Sequence, residues 1–129
     1  MAQPNLNSEH DQTPHPFESH AVFSQFDLAG QISRIRSEKS WQEGPGRVTR
    51  MLAKAPGLRV ALIVMRAGNR WEEHKTDSRI AIQPIEGSVR FILPDRTVEL
   101  RKGELLVLEP GIPHGVEALE EAAFLLTLS

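Results

Sequence analysis

From Gly46 onward the sequence is a succession of short apolar segments without any helical periodicity. The segments are rich in Val, Ile, Leu, Thr and Phe and are separated by Gly, Pro or Asp, which is typical of β-strands joined by turns. Such strands, at intervals of about ten residues with no intervening helices, predict an antiparallel sandwich or barrel. Pro84 lies inside one predicted strand and requires a sheet edge or a β-bulge at that position. The predicted strands are Arg47–Lys54, Leu58–Arg66, Ile80–Ile85, Ser88–Leu93, Thr97–Leu100, Leu105–Leu108, His114–Ala118 and Ala123–Leu128.

The N-terminal part of the chain has a different character. Residues 1–22 are rich in Pro, Asn, Ser and Gln and have little apolar surface to bury, so we expect a disordered tail. Farther on, Leu28, Ile32 and Ile35 share one face of a helix that follows Asp27 at the N-cap position. This pattern predicts one short amphipathic helix on the outside of the barrel. The expected division is a tail (1–22), a helical arm and linker (23–46) and one barrel domain (47–129).

Composition and charge exclude several classes of protein. Fifteen Lys and Arg against seventeen Asp and Glu give a net charge of −2, which offers no basic field for nucleic acid. The chain has no cysteine, so that His and carboxylates are the side chains left to bind a metal. Neither a signal peptide nor an apolar run of the roughly 18 residues needed to span a bilayer is present. We therefore expect a cytoplasmic protein that binds neither nucleic acid nor membrane.

Two histidines follow glycines at spacings that resemble the two motifs of the cupin superfamily, G-x5-H-x-H-x3-E-x6-G and G-x5-P-x-G-x2-H-x3-N. The resemblance implies an antiparallel jelly-roll β-barrel. It also implies a divalent metal held by both His and the Glu of the first motif and by the His of the second. The matching positions are Gly68, His74 and Gly87 in the first motif and Gly103, Gly111 and His114 in the second.

The departures from the two motifs concern the metal ligands. Thr76 stands in place of the second His of the first motif, and Ile80 in place of its Glu. Two imidazoles alone make a poor site, because zinc sites in proteins use three or four protein ligands. A metal such as Fe, Mn, Ni or Zn would need a recruited carboxylate near His74. The candidates are Glu72, Glu73 and Asp77, and the second motif also has Glu109 and Ala118 in place of its Pro and Asn.

Three functions are compatible with this pattern. The leading hypothesis is a pocket inside the barrel, formed by His74, Thr76, Ile80 and His114, that binds a small molecule without catalysis. The alternative is a metal-dependent enzyme of the dioxygenase or isomerase type that uses His74, His114 and a recruited carboxylate. The third is a structural or protein-binding barrel whose histidines have no chemical role. The resemblance also implies a homodimer.

Overall fold

The computed structural model describes residues 22–129, so the predicted disordered tail lies outside the described residues except for Val22. Two helices come first, α1 (Leu28–Ser37) and α2 (Lys39–Gln42). They are followed by the strands β1 (Arg47–Ala55), β2 (Leu58–Met65), β3 (Arg70–His74), β4 (Ile80–Glu86), β5 (Ser88–Ile92), β6 (Thr97–Arg101), β7 (Leu106–Leu108), β8 (His114–Ala118) and β9 (Ala122–Leu128). The eight predicted strands and the amphipathic helix are confirmed, whereas β3 and the four-residue α2 were not predicted.

The strands form two antiparallel sheets that pack face to face. One sheet has five strands in the order β1-β2-β9-β4-β7, and the other has four in the order β3-β8-β5-β6. Chain neighbours are repeatedly split between the sheets, as the predicted jelly roll requires. The core between the sheets contains Ile63, Met65, Ile80, Ile82, Val89, Phe91, Leu100, Val116, Ala118, Ala122 and Phe124.

Helix α1 covers the outer face of the five-stranded sheet, as the sequence predicted. Ile32 and Ile35 are buried there against Leu62 and Val64 of β2. Strand β2 therefore buries side chains on both faces, which explains why Ala61–Met65 is continuously apolar instead of alternating. No helix within residues 22–129 is long and apolar enough to cross a membrane.

The structure bears on two local expectations, those for Asp27 and Pro84. Asp27 occupies the N-cap position of α1 but makes no side-chain cap hydrogen bond. Its carboxylate lies over Gly30, where an added Cβ would come within 2.6 Å of the Asp27 Oδ2 atom. Pro84 lies at a register shift between Pro84 and Glu86 in the pairing of β4 with β9, so the missing N–H is accommodated at a bulge.

Candidate functional site

The two motif histidines lie opposite each other on neighbouring strands of the four-stranded sheet. His74 ends β3 and His114 begins β8, and the two residues are direct partners in the antiparallel register. Their ring centroids are 4.4 Å apart and the ring planes are inclined by 60°. The structure thus brings together the two residues that were 40 positions apart in the sequence.

The two rings differ strongly in exposure. His114 is 3% exposed, and its ring stacks on Phe91 with a centroid distance of 5.4 Å and an interplanar angle of 9°. His74 is exposed to solvent, and its ring centroid lies 5.5 Å from that of the half-buried Trp71. One ring of the pair is therefore exposed to solvent, and the other lies against the apolar core of the barrel.

Backbone carbonyl groups fix the tautomer of both rings. Nδ1 of His74 lies 3.0 Å from the carbonyl oxygen of Glu72, and Nδ1 of His114 lies 2.9 Å from that of Ile112. Because a carbonyl oxygen only accepts hydrogen bonds, each Nδ1 must carry the hydrogen. In the neutral rings each Nε2 then carries a lone pair, which can accept a hydrogen bond or bind a metal.

The other two predicted pocket residues, Thr76 and Ile80, have structural partners. The Thr76 hydroxyl accepts a hydrogen bond of 3.1 Å from the N–H of Ser78. The Thr76 carbonyl accepts one of 2.8 Å from the N–H of Gly111, which joins the loops of the two motifs. Gly111 has a φ of 82°, a backbone conformation that favours glycine. Ile80 is 2% exposed and belongs to the core between the sheets.

The donor set does not fit the metal site of the family motifs. Within residues 22–129, no group of three or more His, Cys, Asp or Glu side chains is arranged to hold a metal ion. Glu72 and Asp77 are exposed, and the Glu73 side chain lies outside the described groups. Ile80 presents a buried hydrocarbon at the position of the family glutamate, so only the two imidazoles match the motif ligands.

An ion pair that the sequence did not predict joins the segments of the two motifs. Arg79 donates to both oxygens of the Glu109 carboxylate: Nε lies 3.2 Å from Oε1 and 3.1 Å from Oε2, and Nη2 lies 2.8 Å from Oε1. These bonds lower the pKa of the Glu109 carboxyl and raise that of the Arg79 guanidinium. Glu109 replaces the proline of the second motif, and this new charge was the signal that could have prompted a search for a cation.

Two further contacts could not be found from the sequence. Phe91 provides the face on which His114 stacks, although β5 has no motif that marks this residue. The Arg47 guanidinium lies 4.7 Å from the centroid of the Trp71 ring, a distance typical of a cation–π contact. Both contacts join strands that are far apart in the sequence, and only the fold places them beside the histidines.

Comparison with known families gives one match that covers more than half of the chain. Residues 59–128 match the model of the AraC-like ligand binding domain. This segment contains all of β2 except Leu58, and all of β3 to β9, and therefore both histidines. No curated protein is similar enough to the chain to count as a match.

Solved structures with the same fold include a cupin superfamily protein from Desulfitobacterium hafniense, with 13% identity and a TM-score of 0.62 over 64% of this chain and 75% of that chain. A conserved protein of unknown function from Streptococcus pyogenes has 17% identity and a TM-score of 0.66 over 88% of this chain and 93% of that chain. These likenesses confirm the fold predicted from the two motifs.

A likeness to an enzyme is confined to a part of that enzyme. Oxalate decarboxylase from Bacillus subtilis, a protein with Mn(II) centres, has 26% identity and a TM-score of 0.59 over 65% of this chain. The matched region is 25% of the decarboxylase chain.

Proposed function

Since the chain belongs to the family of AraC-like ligand-binding domains, within the cupin superfamily, we propose that it binds a small molecule at the His74–His114 pair without catalysing a reaction. The observation that carries this proposal is the shared geometry of the two rings. Both donate from Nδ1 to a backbone carbonyl, and their centroids are 4.4 Å apart. The rings are thereby held in place by the backbone, and Nε2 of the exposed His74 is the nitrogen that can recognise a ligand.

The environment of the pair indicates what kind of ligand would be bound. A neutral imidazole accepts a hydrogen bond at Nε2, so the ligand should carry a hydroxyl or amine group that donates to it. Trp71 adds aromatic surface next to His74 and Phe91 adds it next to His114, and Ile80 belongs to the apolar cluster that contains Phe91. We therefore propose a small ligand that combines donor groups with an apolar part, as is usual for ligand sites in proteins.

The alternative is a metal-dependent enzyme of the dioxygenase or isomerase type. The Nδ1 hydrogen bonds favour it, because backbone acceptors of this kind also orient histidines that bind metals. The described donor set opposes it, because two imidazoles leave most coordination positions of Fe, Mn, Ni or Zn without a protein ligand. We therefore favour ligand binding over metal-dependent catalysis as the function.

The experiment is a thermal unfolding screen with sugars, hydroxy acids and aromatic alcohols on three proteins: the wild type, His74→Ala and Lys75→Ala. His74 and Lys75 are both exposed neighbours, so neither substitution should change the stability of the free protein much. A ligand at about 100 times its Kd stabilises the folded state by about 2.7 kcal/mol, which raises the unfolding temperature by roughly 10 °C. We expect this shift in the wild type and in Lys75→Ala, and its loss in His74→Ala.

Metal content distinguishes the alternatives. After incubation with Fe, Mn, Ni and Zn and desalting, the wild type should hold much less than one metal per chain. Nearly one metal per chain, lost in His74→Ala, would support the enzyme and contradict the proposal. No ligand response and no metal would leave a structural or protein-binding barrel.

We also propose that the protein forms a homodimer in the cytoplasm. Strand β1 supports the dimer, because it is a nine-residue edge strand whose one described pairing partner is β2. Exposed edges of this length are usually covered by another chain or element. Sedimentation velocity at micromolar concentration should give the mass of two chains, and a single 14.4 kDa species would contradict the dimer.

A further inference from the structure

A cavity of about 390 Å³ lies on the far side of the five-stranded sheet from the histidine pair. Its walls are the extended segment before α1, the start of α1, and the outer faces of β1, β2 and β9. The residues that line it are Ser24, Phe26, Leu28, Leu52, Ala53, Leu58, Val60 and Leu125. The volume falls in the range of small-molecule sites, roughly 300–1,000 Å³.

A β-bulge in β1 shapes the floor of this cavity. The register with β2 passes from Met51 opposite Ala61 to Ala53 opposite Val60, which leaves Leu52 as an extra residue. A bulge lets two consecutive residues face the same side, and both Leu52 and Ala53 line the cavity. Ala53 has a small side chain, which leaves space that a larger residue would fill.

We propose that this cavity is a second binding site, for a compact uncharged molecule that is mostly apolar and carries one hydrogen-bonding group. Seven of the eight lining residues are apolar, and none of the eight has an ionisable side chain. A charged ligand would lose its hydration there without gaining a counter-ion. The Ser24 hydroxyl is the polar side-chain group of the lining and selects for a ligand that can hydrogen-bond.

The size of the lining favours a small molecule over a protein partner. Eight residues line the cavity, whereas a stable protein–protein interface takes about 20–30 residues on each side. The lining residues come both from the N-terminal arm and from the sheet, so two layers of the fold form the site. Two other occupants of the cavity are a second copy of the chain and the segment 1–21. The binding experiment distinguishes each of them from a small molecule.

The test measures the binding of three probes, 2-naphthol, naphthalene and naphthalene-2-sulfonate, to the full-length protein. Fluorescence gives the affinities, and the NMR signals of methyl groups show where each probe binds. We expect 2-naphthol to bind and to shift the methyl signals of Leu52, Val60 and Leu125. Naphthalene should bind about three- to tenfold more weakly, because it cannot use the hydrogen bond. The sulfonate should bind at least tenfold more weakly than 2-naphthol.

Two matched variants locate the site. Ala53→Phe fills the cavity and should weaken 2-naphthol binding at least tenfold. Ala67→Phe makes the same change at an exposed residue of the turn that follows β2, outside the cavity lining, and should leave binding unchanged. Ser24→Ala should abolish the preference for 2-naphthol over naphthalene. Circular dichroism and the unfolding temperature confirm that each variant is folded before its affinity is compared.

Several results would overturn the proposal. Equal affinity in the Ala53→Phe and Ala67→Phe variants would show that the probe binds elsewhere. Loss of binding in His74→Ala would assign the probe to the barrel site. Phe17 is the aromatic residue of segment 1–21. Failure of 2-naphthol to bind the wild type, with tight binding by Phe17→Ala, would identify this N-terminal segment as the occupant. Failure together with a change of the oligomeric state in Ala53→Phe would identify a second copy.

Discussion

The two sheets of the barrel are buried to different extents. The five-stranded sheet is covered on its inner face by the other sheet and on its outer face by α1 and α2. The four-stranded sheet packs on its inner face through Val89 and Phe91, while Arg90 between them forms ion pairs on the outer face. The sequences show the same difference, because β5 alternates buried and half-buried residues whereas β2 ends in five consecutive buried ones.

This difference decides where binding sites can form. The histidine pair lies on β3 and β8, in the four-stranded sheet, whose apolar surface faces the barrel interior. The second cavity lies on the outer face of the five-stranded sheet, because only that sheet has an additional layer over it. A site needs concave walls, and a single solvated sheet face cannot provide them.

The largest expected effect comes from removing packing under α1. Leu62 is fully buried between β2 and the helices, so Leu62→Ala should lower the free energy of unfolding by about 2–5 kcal/mol. The matched change on the exposed face of the other sheet, Glu99→Ala, should alter it by about 0.5 kcal/mol or less. Urea unfolding of both variants measures the two values. Similar losses would contradict the asymmetry between the sheets.

A smaller effect is expected from the ion pairs that hold α1 to the rim of the five-stranded sheet. Arg36 on α1 lies 2.8 Å from Glu86 and 2.7 Å from Glu121, in each case measured from a guanidinium nitrogen to a carboxylate oxygen. Arg36→Met keeps the aliphatic part of the side chain and removes the charge. Partly exposed pairs contribute about 0.2–1 kcal/mol each, so we expect a loss of about 1 kcal/mol.

Salt provides the control for this variant. The difference between wild type and Arg36→Met should shrink at 1 M NaCl, because salt screens exposed charges. A difference that is independent of salt would mean that packing, and not charge, attaches the helix.

The smallest effect is expected at the exposed pair of Arg79 and Glu109. The hydrogen bonds from Arg79 lower the pKa of the Glu109 carboxyl. Because the folded-state pKa is the lower one, the stabilisation is present above the ordinary glutamate pKa of roughly 4.3 and is lost as the pH falls through the folded-state pKa. A carbon-13 NMR titration of Glu109 should show the lowered pKa in the wild type and an ordinary value in Arg79→Met. Lys102→Met, at another exposed cation, should leave it lowered.

Most of the secondary structure could be predicted from the sequence. Strand β3 could not, and there is a physical reason for this. The apolar segments bounded by turn residues specified eight strands, because these segments carry their periodicity in their own residues. Strand β3 has the sequence Arg-Trp-Glu-Glu-His, in which apolar and polar residues do not alternate. It becomes a strand because Arg70 and Trp71 pair with Glu117 and Val116 of β8, and this pairing partner is distant in the sequence.

The candidate site likewise contains some residues that the sequence predicted and others that only the structure revealed. His74 and His114 were found from their spacing to glycines, since a turn glycine and the residue it precedes are local in the chain. Phe91 and Arg47 could not be found, because Phe91 contacts His114 from β5 and Arg47 contacts Trp71 from the start of β1, and both contacts depend on strand packing. The cavity under the N-terminal arm was also absent from the predictions, since it depends on a bulge in β1.

The sequence by itself therefore determined the all-β class, the amphipathic helix and the two histidines, because each depends on residue types at short fixed spacings. The tertiary structure alone decided that the rings of His74 and His114 are 4.4 Å apart, that one is buried and the other exposed, and that Ile80 belongs to the core. It also decided that a cavity lies outside the barrel. These properties depend on the pairing and packing of strands distant in sequence, which no local pattern encodes.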